Sequence, residues 1–372
     1  MSKIKNIKVK VIEVPLKRTW QTSLYATTTR AHCIVRVETE DGIIGYGEAS
    51  PAAAFMGETA YTMEVVIARY FAPVLTGESV LDISKINDLM DRIIAGNTSA
   101  KAAVDIALHD AAGKALNVPV YDLLGGRLRE NFDLVWSMGF KKAEESLEEA
   151  KEYIKKGFKV MKVKVGKGVE EDARLIRQLR ELFGPDIPIR LDANQGFTPG
   201  DAIALLHRVV DTNPECFEQP VGKWNYEGMK HVRNHACGVK IMADESVSSL
   251  HDVTNIIKYG CADLFNIKVG KVGGLYRACQ IAAAVEAAGY QAAAGSNLEL
   301  GIGEAASTHF ITSQKAICLP CDALCGSELH TCNIITNPMV MTSEGRFSCP
   351  VTSGLGVEVD EGIFSSDAVT FN

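Results

Sequence analysis

The sequence predicts a parallel (β/α) barrel that follows an α+β unit. Residues 1–125 contain strand patterns and then helical periods, whereas residues 132–320 alternate short apolar strands with longer amphipathic helices, as parallel sheets with helical crossovers do. Charged residues also end five successive strands at intervals of 24 to 28 residues, about the length of one strand–helix unit. These residues are Lys164, Asp192, Glu218, Asp244 and Lys268.

The α+β unit is predicted from two periodicities. Residues 8–14, 32–38 and 43–47 read as antiparallel strands, the last two joined by an Asp-Gly turn. Helical periods follow at residues 62–75, 83–94 and 102–116. We therefore predict a capping domain over residues 1–125, a barrel over 126–332 and a C-terminal segment over 333–372 that returns to the cap.

Composition and charge exclude several classes of protein. A net charge of −7 and the lack of a basic stripe argue against binding to nucleic acid or to a membrane surface. The first residues are too polar for a signal peptide, and no apolar run is long enough to cross a bilayer, so we expect a cytoplasmic protein. Its ten cysteines are then expected to be reduced thiols.

Four of these cysteines lie close together, at Cys318, Cys321, Cys325 and Cys332. A thiolate metal or iron–sulfur site is one interpretation. The spacing matches neither the paired CxxC pattern of zinc sites nor a standard cluster motif. We therefore favour free cysteines around a strand and the loop after it.

Two lysines share one face of a predicted barrel strand. In Val160-Met-Lys-Val-Lys-Val165, Lys162 and Lys164 point one way and the apolar residues the other. If the apolar face packs against helices, both lysines lie inside the barrel, where crowding and desolvation would lower their pKa values toward those of usable bases. The alternative is a solvated edge strand with its lysines turned outward.

Three carboxylates end the next three strands. Asp192, Glu218 and Asp244 would converge at the C-terminal rim of a barrel, where active sites form, and hard oxygen ligands suit Mg²⁺. Any one of them could instead cap a helix. Asn194 and Glu245 are candidates to support these ligands or to contact substrate.

Lys268 ends the following strand, before a glycine-rich loop. Strands two and six of a closed barrel lie roughly opposite each other, so Lys164 and Lys268 could flank a ligand held over the metal. Such a site suits removal of a proton α to a carboxylate, because a divalent cation stabilises the doubly charged enediolate and Lys162 adds a neighbouring charge. A surface lysine before a flexible loop is the alternative for Lys268.

The chain resembles the muconate-lactonizing-enzyme subgroup of the enolase superfamily. The resemblance rests on the Lys-x-Lys, Asp, Glu, Asp and Lys pattern above and on shorter motifs throughout the chain. These motifs are Gly45-Tyr-Gly-Glu48, Lys101-Ala-Ala-Val-Asp-Ile-Ala-Leu-His-Asp110, Leu123-Leu-Gly-Gly126, Gly295-Ser-Asn-Leu-Glu299 and Gly354-Leu-Gly356.

The resemblance implies a modified (β/α)7β barrel capped by an α+β domain from both termini, and often a homo-oligomer. It implies Mg²⁺, or Mn²⁺ as a substitute, on Asp192, Glu218 and Asp244, with Lys164 and Lys268 as acid/base catalysts on opposite faces and Lys162 as helper. Loops over the substrate would be expected to contribute contacts. The candidate substrate-binding residues are Trp20, Tyr25, Phe55, Asn194, Glu245, Ser296, Asn297 and Asp322.

Substrate specificity stays open at this stage. Dipeptide epimerases of the subgroup carry Asp-x-Asp after the eighth strand, but the matching stretch has one displaced acid, Asp322. The leading hypothesis is an isomerase of a small carboxylate, either a muconate-type cycloisomerase or a racemase or epimerase of an amino-acid derivative. Alternatives are a dehydratase or an o-succinylbenzoate-synthase-like β-elimination, and a non-catalytic carboxylate-binding protein.

Overall fold

A long antiparallel hairpin begins the fold. The computed structural model describes residues 2–322, 325–342 and 345–364. Strands β1 (Ile4–Gln21), β2 (Ala26–Thr39) and β3 (Ile44–Ala49) form a three-stranded antiparallel sheet in that order. The first two strands extend well beyond the predicted 8–14 and 32–38, because their pairing continues through Gln21 and Ala26.

Helices cover this sheet and complete the cap. They enclose an apolar cluster that includes Met63, Phe71 and Met90. The helix predicted at 62–75 is interrupted by a π turn at Ile67–Phe71. The helical segments are Ala53–Met56, Ala60–Val66, Ala72–Leu75, Ile83–Ile93, Thr98–Leu116 and Val120–Leu123.

The long cap helix begins at Thr98 rather than at the predicted residue 102. The side chain of Asn97 makes no capping hydrogen bond there. The carboxylate of Glu58 accepts hydrogen bonds from the backbone N–H groups of Ser99 (2.9 Å) and Ala100 (3.2 Å) and thereby caps the helix.

Seven parallel strands form the second sheet, in sequential order. They are β4 (Val135–Met138), β5 (Val160–Lys164), β6 (Ile189–Asp192), β7 (Cys216–Glu218), β8 (Lys240–Ala243), β9 (Leu264–Ile267) and β10 (Gln291–Ala294). The crossover helices are Ala143–Lys155, Val169–Phe183, Pro199–Val209, Tyr226–Asn234, Leu250–Tyr259 and Leu275–Ala287. Shorter helical segments lie at Val210–Thr212 and Val269–Val272.

An eighth segment links the two edges of the seven-stranded sheet. After the helix Gly301–Ser313, Ile317 forms a parallel bridge with Ala292 of β10, and Cys321 forms one with Leu134 beside β4. The architecture is therefore a modified (β/α) barrel with an α+β cap. None of the described helices is long and apolar enough to span a bilayer.

The chain returns to the cap after the barrel. Helices Cys325–Leu329 and Glu361–Phe364 and the strand Arg346–Phe347, which pairs with Phe132–Asp133, lie in this part. The backbone N–H of Leu355 donates to Asp110 of the long cap helix at 2.8 Å. The domain boundaries at residues 125 and 332 stay predictions.

Candidate active site

The two lysines of β5 lie inside the barrel. Met161 and Val163 pack into the apolar cluster formed with the surrounding helices, which turns Lys162 and Lys164 to the other face of the strand. Both lysine side chains are buried. The alternative of an edge strand with outward lysines is therefore excluded.

The neighbouring strands bring carboxylates beside these lysines. Strand register pairs Lys164 with Asp192, and Asp192 with Glu218. The Nζ atom of Lys164 lies 2.6 Å from Asp192 Oδ2. The Nζ atom of Lys162 lies 3.6 Å from Asp192 Oδ2 and 3.4 Å from Glu218 Oε2, and it also contacts Asp322.

A second lysine–carboxylate pair lies across the barrel. Asp244 and Lys268 follow directly after β8 and β9, and the Nζ atom of Lys268 lies 2.7 Å from Asp244 Oδ2. Both side chains are buried. The structure thus gathers the three predicted catalytic lysines and the three predicted metal ligands into one buried cluster, although their roles stay predictions.

Lys162 does not have the lowered pKa value expected from the sequence. Burial alone would lower the pKa of Lys162, but the carboxylates of Asp322, Glu218 and Asp192 together raise it well above its usual value. Burial also lowers the pKa of Lys268, but the carboxylates of Asp244, Glu245 and Glu218 together raise it above its usual value. The expectation from the sequence rested on repulsion between neighbouring ammonium groups and on burial. It did not include the attraction of carboxylates as close as those found here.

The pKa values of the carboxyl groups in this cluster are shifted in different directions. Burial and then the charge of Asp192 raise the pKa of Glu218 to about 8. Burial and then the charge of Asp244 raise the pKa of Glu245 to about 7. In contrast, Lys268 and Lys271 hold the pKa of Asp244 well below its usual value despite burial. The raised values mark carboxylates that have too little positive charge beside them.

The residues fit a hard divalent cation. Four buried oxygen atoms around the rim have neither a hydrogen bond nor an ion pair with any described residue: Asn194 Oδ1, Glu245 Oε2, Asn266 Oδ1 and Asp322 Oδ1. Buried oxygens without donors are costly, and buried carboxylates beside them are the ligands that Mg²⁺ takes.

No three described His, Cys, Asp or Glu side chains lie close enough to hold a metal as they stand. At the rim, the ammonium group of Lys162 lies between the carboxylates of Asp192 and Glu218. A cation at this place would therefore have to displace the ammonium group.

The predicted cap residues lie together near this rim. Trp20 is buried, and the Nζ atom of Lys164 lies 5.8 Å from the centre of its ring. The rings of Tyr25 and Phe55 contact edge to face, with centroids 5.5 Å apart. The backbone carbonyl of Phe55 accepts a hydrogen bond from Lys223 Nζ at 2.7 Å, which joins this cap loop to the barrel.

The remaining substrate candidates occupy the loops after the strands. Asn194 Nδ2 donates to Glu245 Oε1 at 3.0 Å. The Ser296 hydroxyl and the backbone N–H of Asn297 both donate to Glu299, at 2.6 and 2.8 Å. These contacts fix the two loops, while substrate contact by their side chains stays a prediction.

Two residues of the cluster were missed by the sequence reasoning. Asn266 lies two positions before Lys268 on the same strand face, and its Nδ2 atom donates to Glu218 Oε1 at 2.7 Å. Lys271 lies 2.8 Å from Asp244 Oδ1. Asn266 could have been predicted from the sequence, because residues two apart in a strand share a face. Lys271 could not, because it lies in the glycine-rich stretch after the strand, where spacing does not indicate direction.

The cysteine cluster shows no sign of a metal site in the part that is described. Cys321 is buried and its thiol donates to the carbonyl of Leu319, whereas Cys318 is exposed. Burial raises the pKa of the Cys321 thiol to about 12, as expected for a protonated structural cysteine. The side chain of Cys325 lies outside the described residues.

Known families match both parts of the chain. Residues 6–125 match the model "Mandelate racemase / muconate lactonizing enzyme, N-terminal domain", and residues 145–363 match "Enolase C-terminal domain-like". The chain therefore belongs to the enolase superfamily, in its muconate-lactonizing-enzyme subgroup.

Relatives with named activities place the chain among the isomerases. It is 37% identical to the hydrophobic dipeptide epimerase of Enterococcus faecalis over 85% of this chain and 88% of that one. It is 34% identical to the N-succinyl-L-Arg/Lys racemase of Bacillus cereus over 96% of both, and 30% identical to a chloromuconate cycloisomerase of Pseudomonas putida over 96% and 97%. All three are isomerases, and this chain is an enzyme of the same class.

Solved structures agree with this placement. The B. cereus racemase superposes with a TM-score of 0.94 at 34% identity, covering 99% of this chain and 98% of the other. The E. faecalis epimerase, solved with Mg and the dipeptide L-Leu-L-Tyr, superposes with a TM-score of 0.91 at 34% identity, covering 96% and 99%.

Proposed function

We propose that this chain is a Mg²⁺-dependent racemase or epimerase of an amino-acid derivative, acting on the proton α to a carboxylate. The observation that carries the proposal is the placement of Lys164 and Lys268. Lys164 ends β5 and Lys268 follows directly after β9, four positions away in the eight-membered ring that residues 317–321 complete, and each contacts a different carboxylate. Two bases on opposite sides of a barrel are what inversion of a carbon centre needs.

The charge of the cluster suits a carboxylate substrate. Four lysines (162, 164, 268 and 271) face five carboxylates (Asp192, Glu218, Asp244, Glu245 and Asp322). Fully ionised, this cluster carries one negative charge, and a divalent cation would make it positive by one. A site of that sign attracts a carboxylate anion and stabilises the charge that develops when its α-proton leaves.

The chemistry divides between the cation and the lysines. Asp192, Glu218 and Asp244 would hold Mg²⁺, with Mn²⁺ as a substitute, and the bound cation supplies positive charge that stabilises an enediolate. Lys164 or Lys268, once neutral, takes the α-proton from one face, and the opposite ammonium group donates a proton to the other face. Lys162 stays charged and stabilises the negative charge between them.

Asp322 indicates that the ligand of this site carries a hydrogen-bond donor as well as a carboxylate. Its carboxylate is buried and contacts Lys162, and its second oxygen accepts no hydrogen bond from the residues that the structure describes. A donor on the α-nitrogen of an amino-acid derivative would satisfy that oxygen, which favours such a substrate over a muconate. The dipeptide and N-succinyl amino-acid substrates named for two relatives belong to this chemical class.

Exchange of hydrogen with solvent tests the proposal. The enzyme is incubated in D₂O with Mg²⁺ and either single stereoisomers of N-acyl amino acids and dipeptides or muconates, and products are read by mass spectrometry and chiral chromatography. We expect one deuterium at the α-carbon of the amino-acid derivative and formation of the isomer with inverted configuration at that carbon. Loss of water would indicate a dehydratase, lactone formation a cycloisomerase, and binding without exchange a non-catalytic protein.

Paired variants assign the bases. Lys164→Ala should abolish exchange from one enantiomer, and Lys268→Ala should abolish exchange from the other, because each lysine serves one face. Unaffected exchange of both enantiomers in either variant would refute the assignment of that lysine.

A further inference from the structure

Each of the three proposed metal ligands has one carboxylate oxygen that accepts a hydrogen bond from a residue other than Lys162, Lys164 or Lys268. Glu218 shows this clearly. Its Oε1 atom accepts a hydrogen bond from Asn266 Nδ2 at 2.7 Å, whereas its Oε2 atom faces Lys162 Nζ at 3.4 Å. The carboxylate group is thus tethered on one side and turned toward the lysine on the other.

Asp192 and Asp244 repeat the arrangement. The Oδ1 atom of Asp192 accepts from the backbone N–H of Asn194 at 3.0 Å, and its Oδ2 atom contacts Lys164 at 2.6 Å. The Oδ1 atom of Asp244 lies 2.8 Å from Lys271 Nζ, and its Oδ2 atom lies 2.7 Å from Lys268 Nζ. In all three carboxylates the untethered oxygen is the one that meets a catalytic ammonium group.

We propose that Asn266 and Lys271 are positioning residues, which present a single oxygen of Glu218 and of Asp244 to the cation. The inference rests on the proposed function, since it assumes that these carboxylates bind Mg²⁺. Mg²⁺ requires nearly ideal octahedral geometry, so ligands that offer one fixed oxygen each leave positions for water and substrate oxygens. Residues that orient metal ligands commonly change metal affinity 10- to 100-fold when they are replaced.

The surroundings of Asn266 support a dedicated role. The side chain is buried, and its amide can donate to Glu218 in only one orientation, because a carboxylate oxygen does not donate. A Cβ atom at Gly295 would lie 2.8 Å from Asn266 Nδ2 and from Lys268 Cε. The absence of a side chain at Gly295 therefore leaves the space that the amide occupies.

Direct metal binding tests the proposal without relying on turnover. Free Mn²⁺ is measured by electron paramagnetic resonance in titrations of wild type, Asn266→Leu and Lys271→Met, with Mg²⁺ as competitor. Asn266→Leu keeps the size of the side chain and removes the donor. The matched controls are Asn87→Leu, which removes a similar bond to Asp105 (2.9 Å) in the cap, and Lys101→Met, which removes the ion pair with Asp91 (2.8 Å).

We expect Asn266→Leu and Lys271→Met to weaken Mn²⁺ binding about 10- to 100-fold, and the controls to bind within twofold of wild type. For Lys271→Met the direction of the change in Mn²⁺ affinity is decisive, because the loss of a positive charge would by itself tighten cation binding. Lys271→Arg should recover most of the affinity and thereby separates positioning from misfolding. Unchanged or tighter binding by a variant overturns the role of that residue.

The outcomes also separate this inference from the proposed function. If wild type binds no divalent cation in one-to-one stoichiometry, both fail. If wild type binds one cation and the variants bind it equally well, the positioning roles fail and the proposed function stands.

Discussion

Replacement of Gly295 by alanine should damage one catalytic face more than the other. The added Cβ atom would lie 2.8 Å from Lys268 Cε and would also overlap the Asn266 amide. Ordinary carbon contacts begin at about 3.4 Å, so Lys268 would have to retreat by about 0.6 Å and the amide by more. Lys164 projects from β5 on the other side of the barrel.

The expected cost follows from this displacement. Misplacement by about 1 Å can reduce turnover about 100-fold, which corresponds to a barrier higher by about 2.7 kcal/mol. The crowding should also destabilise the fold by about 1–3 kcal/mol. We therefore expect α-proton exchange through Lys268 to fall by about 10- to 100-fold, and exchange through Lys164 to fall much less.

Single-enantiomer exchange in D₂O measures the two faces separately, and thermal unfolding reports the fold. Gly362→Ala is the control, because the three described atoms nearest to a Cβ atom there belong to the exposed side chain of Asp360, the nearest at 3.0 Å, far along the chain from the rim strands. Equal loss on both faces, or full retention of Lys268-dependent exchange, would refute the reasoning.

Three further predictions address the cap loop that carries Phe55, the buried carboxyl group of Glu48 in the cap, and the cation. Lys223→Met removes the bond to the Phe55 carbonyl, so KM should rise several-fold with kcat changed less than twofold in steady-state assays; an unchanged KM would contradict this. Burial raises the pKa of Glu48 from 4.5 to about 7, so between these pH values the folded state keeps a proton that the unfolded state loses. As pH rises from 4.5 to 7, the free energy of unfolding of wild type should therefore fall by up to about 3 kcal/mol relative to that of Glu48→Gln. Urea unfolding of both proteins measures this difference, and parallel pH curves would contradict it. Chelation by EDTA should abolish α-proton exchange, and Mn²⁺ should restore it; exchange that persists after chelation would rule out the metal requirement.

The barrel and its rim were predictable because their signal is local and repeated. Each strand–helix unit is short, and its last strand residue lies at the same end of the barrel, so spacing alone indicated that Lys164, Asp192 and Glu218 would meet. Their register in neighbouring strands agrees with that expectation.

Contacts between distant segments were not predictable from one sequence. His32 of β2 contacts Glu48 at 2.9 Å and His330 at 3.2 Å, and His330 Nδ1 contacts the carbonyl of Gly326 at 2.6 Å. The contact between His32 and His330 joins the cap to the segment that follows the last barrel strand, across nearly 300 residues. The pKa of Lys162 was misjudged for the same reason, since it depends on distances to carboxylates that spacing does not give.

The segment that completes the barrel has a consequence for how specificity can change. Residues 317–321 meet each edge of the sheet through single bridges and lead directly to Asp322, whereas the carboxylates lie on or just after continuous ladders. A substitution or short insertion in this segment can therefore alter the group opposite Lys162 without shifting the strands that carry the carboxylates. Under the proposed function, substrate choice and proton transfer occupy separable parts of one ring, so libraries confined to residues 317–322 offer a route to new substrates on unchanged chemistry.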